Sequence, residues 1–270
     1  MLIKLTDRCT MMCAHCMEDA RPDGNGFISD EVFHRAVTFG QEIGCRVFTL
    51  SGGEPTEHPR FRELCTWLDG RLRGWGMFTI CSNGMWLKDE KKTEAVRAVS
   101  RLSTFTGMQV YTNRKWYREY DYVMEHRKEY EAIQGIIFTP DDKIWMQDLG
   151  RARNNAEAQK EVAESPYFMS CLNATLIAKQ CSVMRGFGQM FELRGQFCRP
   201  QVDCEGNVHM SESRLCPSVG SVLLQTPEEI YSHMRRYSPC GNCAGYRRFC
   251  NSMRPDILAA RLIIGDNSVK

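Results

Sequence analysis

The chain has 270 residues, 43% of them hydrophobic, and 35 basic against 33 acidic side chains leave a formal net charge of +2. That length suffices for one large α/β domain with a small appendage, or for two modest domains. The near-neutral balance argues against a protein that binds nucleic acid through a strongly basic surface.

The amino terminus, MLIKLTDRC, has neither the charged region nor the apolar stretch of a secretory signal, and no apolar run reaches the roughly 18 residues of a membrane span. A cytosolic protein with no membrane partner is expected. The 14 cysteines are then poorly explained by disulfides. Metal or cluster ligation suits those that lie close in sequence. Cys45, Cys65, Cys81, Cys171 and Cys181 are scattered in apolar or helical contexts and read as small buried hydrophobes.

Residues 2–6 (LIKLT) form the first predicted strand, followed by a polar loop with Cys9, Cys13 and Cys16 and a turn-rich RPDGNG. Residues 29–44 read as a helix capped by Ser29, with Phe33, Val37 and Gly40 on one face and Gly44 at its end. Strands are predicted at 46–50, 77–81, 107–112 and 135–139. Between them, helices are predicted at 60–72, 88–102 and 116–132, the first carrying Phe61, Leu64, Cys65, Leu68 and Leu72 at helical spacing. A sixth strand is read at 143–150, a polar helix or linker at 154–166, and further strands at 174–181 and 189–195. Strand and helix alternate at crossover lengths, which predicts an α/β fold with a parallel sheet or barrel. The alternation stops near residue 195, so domains of 1–195 and 196–270 are expected. In the second, CEGNVHM (204–210) reads as a hairpin and 217–235 as a turn followed by an amphipathic helix.

Three polar motifs follow the first three strands and would share one rim, where parallel barrels collect their chemistry. In DRCTMMCAHC, three thiolates at Cys-x3-Cys-x2-Cys spacing can each hold one iron of a cubane cluster, leaving the fourth iron open. A structural zinc site asks for four ligands, and His15 beside Cys16 is awkwardly placed to be the fourth. In SGGEP, Gly52 and Gly53 allow a close backbone approach to a ligand, Glu54 offers a carboxylate to an ammonium, and Pro55 stiffens the turn. CSNG (81–84) is the third motif.

The cysteine loop and GGEP resemble the two defining motifs of the radical S-adenosylmethionine (radical SAM) enzymes. The resemblance implies a partial (β/α)6 barrel and a [4Fe–4S] cluster whose open iron chelates S-adenosylmethionine. One electron then cleaves the S–C5′ bond, and the 5′-deoxyadenosyl radical takes a hydrogen atom from substrate. It also implies an external one-electron donor of flavodoxin or ferredoxin type. By the same resemblance, His15 is expected near the adenine, Ser82 and Asn83 near the ribose or methionine part, and Arg151 of GRA (150–152) near the carboxylate.

Cys198, Cys204, Cys216, Cys240, Cys243 and Cys250 in the last segment resemble a SPASM or shorter twitch extension, which carries auxiliary iron–sulfur clusters. Ser211 stands where that pattern has a cysteine, and these six cysteines fall short of the eight thiolates of two cubanes. One auxiliary [4Fe–4S] cluster on Cys198, Cys216, Cys240 and Cys243 is expected, with Cys204 and Cys250 spare or substituting. A zinc knuckle is the alternative for the CxxC pair.

The expected activity is modification of a peptide or protein side chain. The alternatives are oxidation or rearrangement of a small metabolite, such as an aminosugar or cofactor precursor, and a non-catalytic iron–sulfur or zinc protein. With the barrel starting at residue 2, a peptide substrate is expected to need a separate leader-peptide-binding protein or recognition by the barrel. Gln109, Tyr111, Asn113, Asp148 and Arg153 are further polar candidates near the rim.

Overall fold

A computed structural model describes residues 1–139, 146, 149–164, 200–209 and 218–236. Its centre is one sheet. In chain order the elements are β1 (Leu2–Lys4), α1 (Asp30–Glu42), β2 (Val47–Ser51), α2 (Phe61–Leu72), β3 (Met77–Ser82), α3 (Glu90–Val99), β4 (Phe105–Val110), α4 (Tyr120–Glu125), α5 (Arg127–Glu131) and β5 (Ile136–Phe138). Then follow α6 (Gly150–Arg153), α7 (Ala156–Glu164), β6 (Gln201–Val202), β7 (Asn207–His209), β8 (Ser218–Ser221) and α8 (Pro227–Arg236).

The strand order is β5-β4-β3-β2-β1-β6-β7-β8. The first five strands and β6 run parallel, and β7 and β8 are antiparallel additions. The alternating pattern of the sequence therefore gives the mostly parallel α/β sheet it predicts. β6 pairs with β1, Leu2 facing Gln201 and Ile3 facing Val202, so the hairpin that opens the last segment continues the main sheet.

Alternation along the strands divides two faces. Ile3, Leu5, Phe48, Leu50, Phe78, Ile80, Met108, Val110, Val202 and Val208 are buried in the main core with the apolar sides of α1 and α2. Ser29 Oγ accepts from Val32 N–H to cap α1, and Phe33 and Val37 are fully buried as their spacing requires. In α2, Asp69 ties the helix to the start of β4. Its Oδ1 accepts from Ser103 Oγ and from both Thr104 N and Oγ1. Lys4, Thr49, Ser51, Thr79, Cys81, Gln109, Gln201, Asp203 and His209 occupy the opposite face, which is polar apart from Leu2, Val47 and Met77 at the strand starts.

Two readings change. The helix predicted at 116–132 begins later and divides at His126, because Asn113 Oδ1 accepts from Lys115 and Trp116 N–H and holds that stretch in a turn. Gly150, read as the end of a sixth strand, starts the α6 turn, and the next described strand is β6 at 201–202. The rest of 143–150, apart from Met146 and Leu149, lies outside the described residues, as do the strands read at 174–181 and 189–195. The hairpin at 204–210 is present as β6–β7 over its described residues. The amphipathic helix of 217–235 is α8, opened by a reciprocal cap between Thr226 and Glu229. Among the described residues no helix is long and apolar enough to cross a membrane.

Candidate active site at the strand ends

Because β1, β2 and β3 are parallel, their following loops meet on one rim. The loop after β1 closes on itself. Asp7 N–H donates to Gly26 O, Cys9 N–H to Arg21 O and Ile28 N–H to Leu5 O, at 2.8–3.0 Å. Asp7 Oδ1 accepts from Gly26 N–H at 2.8 Å. A buried Lys4 reaches Glu18 at 3.0 Å, so the strand also holds the segment just past Cys16. Within this frame Cys9, Cys13 and Cys16 are half-buried and free.

Burial, with smaller contributions from the neighbouring sulfurs, pushes the Cys9 thiol up to about 12 and that of Cys13 to about 11. A positive metal centre is what would make thiolates the favoured form here. Among the described residues no three His, Cys, Asp or Glu side chains converge on a single ion. Three thiolates that each hold a different iron of a cubane need no such convergence. The donors around Cys9 fit a ligating sulfur: Met11 N–H and Asn83 Nδ2 both lie 3.4 Å from its Sγ.

The two glycines after β2 serve this loop. Gly52 has φ +139°, and a Cβ there would stand 2.4 Å from Thr6 O; one on Gly53 would stand 2.1 Å from Arg8 O. Gly53 N–H donates to Thr6 O at 2.6 Å and Glu54 N–H to Arg8 O at 2.8 Å. The close approach expected toward a ligand is thus made toward the backbone of the cysteine loop.

Glu54, expected to offer its carboxylate to a ligand ammonium, is engaged by its own fold. It is 0% exposed. Oε1 accepts from Thr56 N and Oγ1 and from Ser82 Oγ, and Oε2 accepts from Asn83 N–H at 2.7 Å and from Ser82 Oγ. Burial raises its pKa, and these donors work against that rise. The carboxylate is a brace between the ends of β2 and β3. Buried Pro55 opens the short 3-10 turn that follows.

Ser82, expected near the ribose or methionine part, donates to Glu54, and its Oγ accepts from Gly84 N–H at 3.0 Å. Asn83 places Nδ2 on Cys9 Sγ and on Thr10 Oγ1 at 3.1 Å. Arg151, expected near a carboxylate ligand, holds the loop itself. Nε donates to Cys13 O at 2.9 Å, Nη2 to Ala20 O at 2.7 Å, and Nη1 pairs with Asp19 at 2.8 Å.

His15 is different in kind. It is 7% exposed, yet Nδ1 has no hydrogen-bond partner among the described residues. Burial, helped by Arg151, lowers its pKa to about 4, so the ring is neutral at pH 7. The ring lies 4.9 Å edge-on from Tyr117 and 5.5 Å from Trp116, whose buried Nε1 also lacks a partner. Tyr111 stacks beyond Tyr117 at 6.3 Å and donates to Cys81 Sγ at 3.3 Å. Trp116 and Tyr117 were hidden in the sequence by the helix read across them. Their position just past the end of β4, after a turn-forming Asn113, is the signal that places them on the rim.

A second polar group lies on the sheet face away from α1 and α8. Gln201 is 0% exposed, and neither amide atom has a partner among the described residues. Opposite it on β7, His209 Nε2 donates to Asp203 Oδ2 at 3.2 Å, and its buried Nδ1 is unpaired. Burial pulls the Asp203 carboxyl up, but donors from His209 and Asn207 outweigh it and hold it at about 2, which fixes the proton on His209 Nε2. Nothing in the sequence distinguished these residues from an ordinary hairpin.

Of the other candidates, Gln109 and Tyr111 lie at β4 and just beyond its end, Asn113 caps a turn, and Arg153 is exposed. Cys204 donates to Lys4 O at 3.4 Å. Cys65 is fully buried as read, while Cys45 and Cys81 are half-buried. Asp148, Cys171, Cys181, Cys198, Cys216, Cys240, Cys243 and Cys250 lie outside the described residues.

The pattern of the Radical SAM superfamily matches residues 3–140. The chain is 30% identical over 283 residues to the probable GTP 3′,8-cyclase of Pyrococcus horikoshii, covering 95% of this chain and 84% of that protein. Its fold is similar to that of SuiB from Streptococcus suis bound to the precursor peptide SuiA, with a TM-score of 0.56 at 12% identity over 92% of this chain and 70% of that one. It is also similar to BtrN in complex with AdoMet and 2-DOIA, with a TM-score of 0.54 at 11% identity over 87% of this chain and 84% of that one. With three cysteines held on the rim of a parallel sheet and this match over half its length, the chain belongs to the radical SAM superfamily, whose enzymes use a [4Fe–4S] cluster and S-adenosylmethionine.

Proposed function

We propose that this enzyme abstracts a hydrogen atom from a peptide or protein side chain. The observation that carries the site is that the loop holding Cys9, Cys13 and Cys16 also carries or adjoins two buried ring nitrogens, His15 Nδ1 and Trp116 Nε1, without a hydrogen-bond partner among the described residues. When bound, the cluster and S-adenosylmethionine supply the 5′-deoxyadenosyl radical.

The chain's own residues then have separable tasks. Cys9, Cys13 and Cys16 hold the cluster. Arg151, Glu54, Gly52 and Gly53 hold the loop that carries them. His15, Trp116 and Tyr117 would form an aromatic wall for the base of S-adenosylmethionine, and His15 Nδ1 would offer it an acceptor. Residues 1–195 act as a partial (β/α)6 barrel and 196–270 as a SPASM/twitch-like unit anchored through β6 on β1. One auxiliary [4Fe–4S] cluster sits on Cys198, Cys216, Cys240 and Cys243. The Cys204 thiol, engaged with Lys4 O, is left out of that set. An external one-electron donor completes the system.

The shared fold with SuiB, a protein solved with a precursor peptide, supports the peptide reading. The second reading, a small polar metabolite, is favoured by the unsatisfied Gln201 amide and His209 Nδ1 on the polar sheet face, and by the long alignment with a GTP 3′,8-cyclase. Anaerobic reconstitution with S-adenosylmethionine and dithionite should give 5′-deoxyadenosine. Deuterated peptides and deuterated nucleotides or aminosugars are then offered separately. Deuterium in the 5′-deoxyadenosine names the substrate class, and no 5′-deoxyadenosine from cluster-loaded protein rules out the enzyme.

A further inference from the structure

Asn83 stands where β3 hands over to a left-handed Gly84, φ +82°, and its position is fixed from four sides. Its backbone N–H donates to Glu54 Oε2 at 2.7 Å. The next carbonyl, Gly84 O, accepts from Tyr130 OH at 2.6 Å. Its own Oδ1 accepts from Met85 N–H at 2.8 Å. That last bond settles which amide atom is which, because a backbone N–H can only meet the oxygen. The NH2 group must therefore point the other way, to Cys9 Sγ at 3.4 Å and Thr10 Oγ1 at 3.1 Å. The side chain is 8% exposed, so water competes little for this donor.

The three sulfurs are not equivalent. Cys9 Sγ accepts from two N–H groups, of Met11 and Asn83. Cys13 Sγ has its own backbone N–H and the Met11 thioether, at 3.8 Å, beside it, and no side-chain N–H donor among the described residues. Hydrogen bonds to ligand sulfurs are one of the levers that set the potential of an iron–sulfur cluster. A donor stabilises the more negative, reduced state more than the oxidised one.

We infer that Asn83 is a positioning residue that raises the reduction potential of the rim cluster through Cys9, with Glu54 as the buried post that aims it. The inference rests on the reading that Cys9, Cys13 and Cys16 hold that cluster. It gives the Asn of the third motif a role on the cluster side. It also explains why a carboxylate as costly to bury as Glu54 stands between two strand ends, where it fixes the turn from which the amide points.

The test compares the reconstituted parent with Asn83→Asp and Asn83→Ala. Asn83→Asp keeps an oxygen for Met85 N–H and removes the donor to sulfur. Iron content and the visible spectrum should match the parent, while a redox titration followed by electron paramagnetic resonance should move to more negative potential. At the parent's midpoint the reduced signal of Asn83→Ala, which removes the donor without adding the negative charge of Asp, should fall by about tenfold in reduced-to-oxidised ratio, which is about 59 mV for one electron. Equal midpoints in cluster-loaded variants would overturn the inference. A second measurement needs no variant. Parent protein labelled with 15N in asparagine side chains should show a 15N hyperfine coupling on the reduced cluster, and its absence overturns the inference even where the variants lose iron. A folded parent that assembles no rim cluster would instead overturn the reading of the three cysteines.

Discussion

The rim beside the cysteine loop and the polar sheet face at β6–β7 both bury polar side chains, but they treat them in opposite ways. On the rim, Glu54 takes donors on both oxygens, and Arg151 and Ser82 are likewise occupied by their own fold. At β6–β7 the Gln201 amide and His209 Nδ1 are buried and unpaired. A saturated buried group stabilises the fold, whereas an unsaturated one destabilises it by about 1–3 kcal/mol until something binds. Most of the motif residues recognisable in sequence thus serve the scaffold, and, His15 apart, the unpaired atoms lie on residues with no motif. His15 joins the two classes, a motif residue with an unpaired nitrogen. Trp86 marks the boundary of the rule: its Nε1 is unpaired among the described residues, yet its ring packs in the main core against Tyr130.

The largest effect expected is on the cysteines. Cys9→Ala, Cys13→Ala and Cys16→Ala together remove every thiolate the loop offers. Rim-cluster iron and 5′-deoxyadenosine formation should both be lost, as read by metal analysis and chromatography. Continued cleavage of S-adenosylmethionine by the triple variant would detach the chemistry from this rim.

Next comes Glu54→Gln, which separates scaffold from ligand contact directly. An amide replaces one acceptor oxygen with a donor, which then faces Asn83 N–H or the Thr56 donors. Chemical denaturation of the ligand-free protein should show a loss of about 1–3 kcal/mol. An unchanged denaturation midpoint with weakened S-adenosylmethionine binding would return Glu54 to the role of a ligand acceptor.

A smaller effect is expected at His15. His15→Phe keeps a ring against Tyr117 and Trp116 but loses the free nitrogen. One neutral hydrogen bond is worth about 0.5–1.5 kcal/mol, so S-adenosylmethionine affinity should fall by roughly two- to tenfold. Calorimetric titration of cluster-loaded protein reads this, and an unchanged Kd would leave the ring with packing alone.

The legible and illegible parts of the molecule follow the same division. Helical spacing in α2, the Ser29 cap and the strand-helix alternation are local or periodic, so the parallel sheet and the order of its motifs could be read in advance. The cysteine spacing is equally local. What could not be read is which partner a polar side chain finds across the fold. Glu54 takes donors not only from nearby Thr56 but from Ser82 and Asn83, far along the chain. The partners of Arg151 in the cysteine loop are more distant still in sequence. The pairing of β6 with β1 is equally non-local, and with it the arrangement of Gln201 and His209.

Gln201→Met gives the smallest effect and the sharpest contrast. Methionine has a similar reach and no amide, so in the ligand-free protein it removes two unsatisfied buried groups and adds apolar surface beside Leu2. The variant should be more stable than the parent by about 1 kcal/mol, the reverse of what most core substitutions do. If the sheet face contacts substrate, 5′-deoxyadenosine should still form, because the cysteine rim is untouched, while coupling to product falls. Stability and coupling would then move in opposite directions, as expected where a fold keeps a destabilising group for binding. A less stable variant would mean that the amide is satisfied in the free protein by a bound water shared with His209. The unpaired face would then be scaffold of the same kind as Glu54, and the contrast between the two regions would disappear.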